Sequence, residues 1–263
     1  MALDTMDKLV AALTSKQSQP WNKTGLVNTS GLYASLWTPA GAPGTGAAPT
    51  SAVVPTKATA GAFPFTNPGA GQKAYLAGLE GQGGSGASII FYDRLSHQGG
   101  LSGTVTTAQT TNLPTAALTR GDTTGAGVEA WLEWYTATGS TGVTATISYT
   151  AQDGTAGRSG TVTLPASVPA GRMYPMTLQA GDTGVRSVES VTLSASTGTA
   201  GNFGVTLLRR LDSGYIAGPG GAFSKGPLDT RLSEIPADAC IAMMNLGLGT
   251  NGTWMGTIDI GIG

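Results

Sequence analysis

The chain holds one histidine, His97, and any chemistry that needs an imidazole must run through it. A Ser-His-Asp triad would have to recruit it as base, yet no Gly-x-Ser-x-Gly turn is present to raise a nucleophilic serine. His97 stands between Ser96 and Gln98, ahead of Gly99-Gly100, as a strand end entering a turn does, so a loop or interface histidine is expected. With a single imidazole, His-based metal clusters are excluded. Asp182-Thr183-Gly184 has the form of one half of an aspartic-protease site, whose chemistry needs two carboxylates sharing a proton. The matching half is missing, because Asp122-Thr123-Thr124-Gly125 carries an extra residue. A polar turn is expected, with Asp bonding to nearby backbone and Gly allowing positive φ. Glu129 and Glu133 are four apart, which on a strand separates them by about 13 Å at ~3.3 Å per residue. Paired glycosidase acids sit ~5–9.5 Å apart. Trp131 and Tyr135 share that strand face. It is either an exposed aromatic surface on which sugar rings could stack, or a second face buried in the protein or an interface.

The remaining motifs carry less. Gly81-Gln82-Gly83-Gly84-Ser85-Gly86 lacks the Gly-Lys-Ser/Thr of a phosphate loop and leads into a strand pattern, so a flexible joint is expected. Arg120-Gly121-Asp122 and the Asn-x-Ser/Thr sites at Asn22, Asn28 and Asn251 are short enough to arise by chance. Asp93, Asp153, Asp182 and Asp259 form no local Asp-x-Asp calcium pattern. No catalytic residue, cofactor or metal is assigned, and the chain is expected not to be an enzyme.

Composition narrows the class. A net charge of −1 and no basic cluster beyond Arg209-Arg210 argue against a nucleic-acid surface, which needs cations to displace counterions. Charged residues are 11% against the ~25% usual in soluble proteins. Such a surface repels its neighbours weakly and suits close packing in an assembly. No run approaches the ~18 apolar residues of a membrane span. Residues 1–16 lack the charged and apolar segments of a signal peptide, and export is not expected. The lone Cys240, in the apolar run Ala239–Met244, reads as a small buried hydrophobe, as suits synthesis in a reducing cytoplasm.

The elements that position these residues follow from periodicity. A helix is expected over residues 4–16, with Asp4 and Thr5 as caps and Leu3, Met6, Val10 and Leu13 on one stripe. That stripe packs on its own domain or docks on a neighbour. From Gln17 to Gly86, Pro39, Pro43, Pro49, Pro55, Pro64 and Pro68 forbid a long helix or central strand. Trp21, Leu32, Tyr33, Leu36, Trp37, Phe63 and Phe65 are too many large apolar groups for a solvated tail, so an extended arm ordered by packing is expected. From Ala87 onward short strands recur at 88–95, 103–108, 128–135, 143–150, 172–178, 188–196, 203–211, 240–246 and 254–262, with 128–165 reading as a meander. The expected fold is all-β, a β-sandwich or jelly-roll-like domain over residues 87–263, preceded by a short helix and an extended Pro/Gly-rich arm over residues 1–86.

Three stretches, Tyr92–Thr110, Gly127–Ala137 and Leu178–Val188 with Thr197–Phe203, resemble structural proteins of tailed bacteriophages. The likeness covers roughly residues 87–211 and carries no catalytic motif. It implies a place in the virion, at the capsid surface as a decoration or cement protein or at the tail, with synthesis in the host bacterial cytoplasm. The partners it implies are the major capsid protein and neighbouring copies of this chain, in a homo-oligomer for which a trimer at a threefold position is one option. Neither nucleic acid nor membrane is implied. Anchoring residues would be Leu3, Met6, Val10, Leu13, Trp21, Trp37, Phe63 and Phe65. The alternative is a tail or receptor-binding protein touching host glycans through Trp131 and Tyr135.

Overall fold

The computed structural model describes residues 3, 5–24, 28–113, 118–249 and 251–263; Asp4, one of the two candidate caps, lies outside them. The helix α1 (Met6–Thr14) starts where Thr5 accepts a hydrogen bond from the Lys8 N–H on its Oγ1, at 3.3 Å. Among the described residues the strands follow in order. They are β1 (Gln17–Lys23), β2 (Tyr33–Ser35), β3 (Gly41–Ala42), β4 (Ala74–Gly83), β5 (Ala87–His97), β6 (Gln109–Leu113), β7 (Glu129–Trp134) and β8 (Val143–Ala151). Then come β9 (Arg158–Leu164), β10 (Arg172–Pro175), β11 (Val185–Leu193), β12 (Phe203–Ile216), β13 (Ala222–Lys225), β14 (Glu234–Ile235), β15 (Ile241–Gly247) and β16 (Trp254–Ile262). Among the described residues the protein is all-β apart from α1. No helix among the described residues is long and apolar enough to cross a membrane.

Packing divides the chain differently from the boundary at residue 86 expected from composition. One unit comprises Met1–Ala47, Thr56–Asp93 and Arg210–Gly263, the other Ala48–Pro55 and Arg94–Arg209. In the first, a sheet in the order β13-β4-β16-β1-β3, with β14 also on β4, shares a core with the paired strands β2, β15 and β5. In the second, the sheet β6-β11-β8-β9 encloses a core with β10, β7 and β12. Each is a sandwich, because each sheet has one apolar face to cover.

Most strands lie where alternation places them. In β8, Val143, Ala145, Ile147, Tyr149 and Ala151 are buried while the hydroxyl residues between them are half-exposed. The β8–β9 hairpin closes at 151–157, with Gly154 at φ +86° and Gly157 at φ +73°. The meander does not extend to β7, whose partners are β10 and β12; β8 pairs with β9 and β11 instead. The strand expected at 103–108 is a turn, in which the Thr104 N–H donates to Ser102 Oγ and Gln109 Nε2 to the Ser102 carbonyl. Thr and Gly there offer no large apolar face to hold a strand. The glycines expected as a joint at 81–83 end β4, paired with β16 and β13. The prolines at 39–68 stay outside strands, whereas Pro20 sits in β1 beyond the short reach of β3.

Candidate functional site

Among the residues singled out by chemistry, His97, Glu133 and Tyr135 come together in the second unit, around a residue that sequence reading passed over. Arg94, three residues before His97 on β5, is buried, and its Nη2 meets Glu133 Oε2 at 2.5 Å from β7. Its Nε donates to His97 Nδ1 at 2.9 Å and its Nη2 to the Tyr135 hydroxyl at 3.2 Å. Glu133 Oε2 also accepts from Thr206 Oγ1 of β12 at 2.6 Å and from Tyr135 at 3.3 Å. Arg120 donates to the Arg94 carbonyl at 2.7 Å and to the Pro55 carbonyl at 2.9 Å. Arg94 stands beside Asp93 in the mostly apolar run of β5, and no pattern in the sequence sets it apart.

Electrostatics close this cluster to acid–base work. Burial, helped by the adjacent Arg94 cation, lowers the His97 pKa to about 2, so the ring stays neutral with Nδ1 engaged as acceptor. Burial and then the Glu133 carboxylate push the Tyr135 hydroxyl well above its usual range. A neutral acceptor held by a guanidinium and a carboxylate paired with that guanidinium fasten β5, β7 and β12 to one another.

The other acids also serve the scaffold. Asp182 accepts from the Tyr149 hydroxyl on Oδ2 and from Arg158 Nη2 at 2.9 Å on Oδ1. Burial first, then the bond to Asp182, raises the Tyr149 pKa to about 12. Asp122 instead lies exposed in a turn, where the Thr124 N–H donates to it at 2.8 Å and holds its carboxyl below the usual value. One side chain is an internal strut and the other a surface turn. Glu129 accepts from Trp131 Nε1 at 2.8 Å. Trp131 itself is fully buried and Tyr135 half-buried, so this face is covered by the protein's own packing. Among the described residues no three His, Cys, Asp or Glu side chains gather as a metal site.

The candidate anchoring residues divide into three groups. Trp21, Trp37, Phe63 and Phe65 are buried in the first unit; Trp21 meets Phe91 edge-on at 5.9 Å, and Trp37 Nε1 donates to the Ala47 carbonyl at 2.9 Å. Leu3 and Leu13 are half-buried. Met6 and Val10, one turn apart on α1, stand 72% and 54% exposed.

The sequence matches no protein-family model and no curated protein. Solved structures similar to it include the VP2 subviral particle of infectious bursal disease virus, at 10% identity and a TM-score of 0.20, covering 94% of this chain and 80% of that one. The T13 particle of the same virus gives 9% identity and a TM-score of 0.19, with 94% and 77% covered. Overlays this loose carry no argument about function.

Proposed function

We propose that this chain is a structural component of a bacteriophage virion, a capsid decoration or cement protein that stabilises the head by bridging capsid subunits. The observation that supports this reading is the use made of the polar residues in the segments resembling phage structural proteins. Arg94, His97, Glu133, Tyr135 and Asp182 are all tied into bonds within the second unit, so those segments hold strands in place. A sparsely charged, hydroxyl-rich surface can lie against neighbouring subunits with little charge to desolvate. The partners are the major capsid protein and neighbouring copies of this chain. Repetition over a shell turns individually weak contacts into firm attachment through effective concentration.

With Trp21, Trp37, Phe63 and Phe65 buried, Met6 and Val10 on α1 become the attachment stripe. Replacing both by Ser is expected to keep the fold, since both side chains are more exposed than covered. The doubly substituted protein, added to capsids lacking it, is expected to bind at clearly reduced occupancy. Undiminished occupancy sinks the anchoring role, and purified particles containing no copy of the chain sink virion membership. The alternative, a tail or receptor-binding protein touching host glycans, loses Trp131 as a stacking platform, and a low copy number per particle would be needed to favour it.

A further inference from the structure

We infer that His97 is an acid-sensitive latch of the second unit: its unprotonated Nδ1 holds the Arg94 side chain toward Glu133, and protons, which the closed cluster cannot accept, drive the unit open. The geometry carries this. At 2.9 Å from Arg94 Nε, which is always a donor, Nδ1 must be an acceptor, and a proton placed there would set donor against donor.

The Arg94 cation beside the ring opposes a further positive charge there. On its own strand His97 faces Arg94; from β7 and the residue after it come Glu133 and Tyr135; from the loop before β7 comes Arg120, bonded to the Arg94 carbonyl. β12 contributes Thr206, which is uncharged, and the segment 48–55, bridged to His97 through Val53, holds no titratable side chain. The bonds of Arg94 thus bring a second guanidinium, a carboxylate and a phenol to the residue that His97 holds. Protonation would set a second cation directly against the buried Arg94 guanidinium.

The direction of the pH effect follows. The histidine is neutral in the closed unit down to about pH 2 and takes up a proton in the open chain below about 6.5. The open form therefore binds more protons throughout that window, and stability falls as pH falls through it. This latch operates whatever the particle the chain belongs to, and stands apart from the virion reading.

The test uses the whole chain and His97→Asn, whose amide oxygen can accept from Arg94 and does not titrate. Between pH 6 and 4 the unfolding constant of the wild type is expected to rise on the order of 100-fold more than that of the variant, the effect of one linked proton. Parallel pH profiles overturn the latch. Because the chain has one histidine, its ring gives one set of NMR signals in the wild type, readable even where the variant fails to fold. Those signals should keep neutral-imidazole shifts until the protein opens; titration near pH 6.5 in the folded state overturns the proposal. Amide exchange, corrected for its intrinsic pH dependence, should accelerate in β7 and the first half of β12 before β4 and β16, and equal acceleration in all four also overturns it.

Discussion

Where the first unit lays large rings on bare glycine backbone, the second alternates aliphatic side chains and closes round a buried ion pair. In the first, a Cβ on Gly83 would lie 2.7 Å from Trp254 Nε1, one on Gly46 would meet the Trp37 indole, and Phe223 blocks both Gly81 and Gly214. In the second, Val143, Ile147, Val188, Val191 and Leu193 form the core beside the stacked pair Trp134 and Phe203, 4.3 Å apart. The abundant glycine is therefore partly a packing device: it lets rings reach a sheet surface that any side chain would hold off. Alternation needs no such allowance, and the second unit instead tolerates a charged pair that only mutual contact makes bearable.

The sharpest break in this comparison comes from Glu133→Ala, which leaves the Arg94 guanidinium buried without its carboxylate. The expected loss is ~3–5 kcal/mol, measured by denaturant unfolding. Replacing both partners by apolar groups, as in Arg94→Met with Glu133→Leu, should recover most of it, because the buried charge disappears with its partner. A double variant as unstable as the single one would show that the pair supplies more than neutralisation.

What the sequence made legible follows the same division. Period-two patterning located β8, which buries one face and shows it residue by residue; β7 carries the same alternation in sequence although both its faces are buried. The short strands β2, β3 and β14 left no such trace: two or three residues are too few for a pattern, and neighbours already in place hold them. The rings of residues 1–86 were recognisable as needing a core, but which core depends on pairings across more than two hundred residues, such as Gln17 with Ile260. At the site, His97 and the acids could be named from chemistry alone. Arg94, which joins His97 to Glu133, could not, because an arginine looks the same in sequence whether solvated or buried.

A middle-sized effect probes the glycine side of the comparison. A Cβ on Gly81 would lie 2.4 Å from Phe223 Cε1 and 3.0 Å from Trp21 Cζ2, neither of which is the end of a flexible chain. Gly81→Ala should cost ~1–3 kcal/mol through this overpacking. In a Phe223→Ala background, itself weakened, the same substitution should cost clearly less. Equal costs in the two backgrounds would mean that Gly81 is required for its backbone and not for the ring above it.

The smallest effect separates the units by pH. Lys23, fully buried in the first unit, donates through Nζ to the carbonyls of Pro39 at 3.1 Å and Pro43 at 2.7 Å. Carbonyl dipoles replace water only in part, and burial lowers its pKa from 10.5 to about 8. Between these values the folded lysine has lost its proton while the unfolded one keeps it, so the unfolded state binds more protons and stability rises with pH. The expected gain is about 1 kcal/mol between pH 8 and 9. Denaturant unfolding at pH 8, 9 and 10, compared with Lys23→Met, isolates it from tyrosine ionisation, which both proteins share. His97 acts with the same sign below pH 6.5, so each unit has its own window: acid reports on the second and mild alkali on the first. A wild-type profile parallel to that of Lys23→Met would remove the alkaline window, leaving the acid window of His97 as the pH signature that separates the two units.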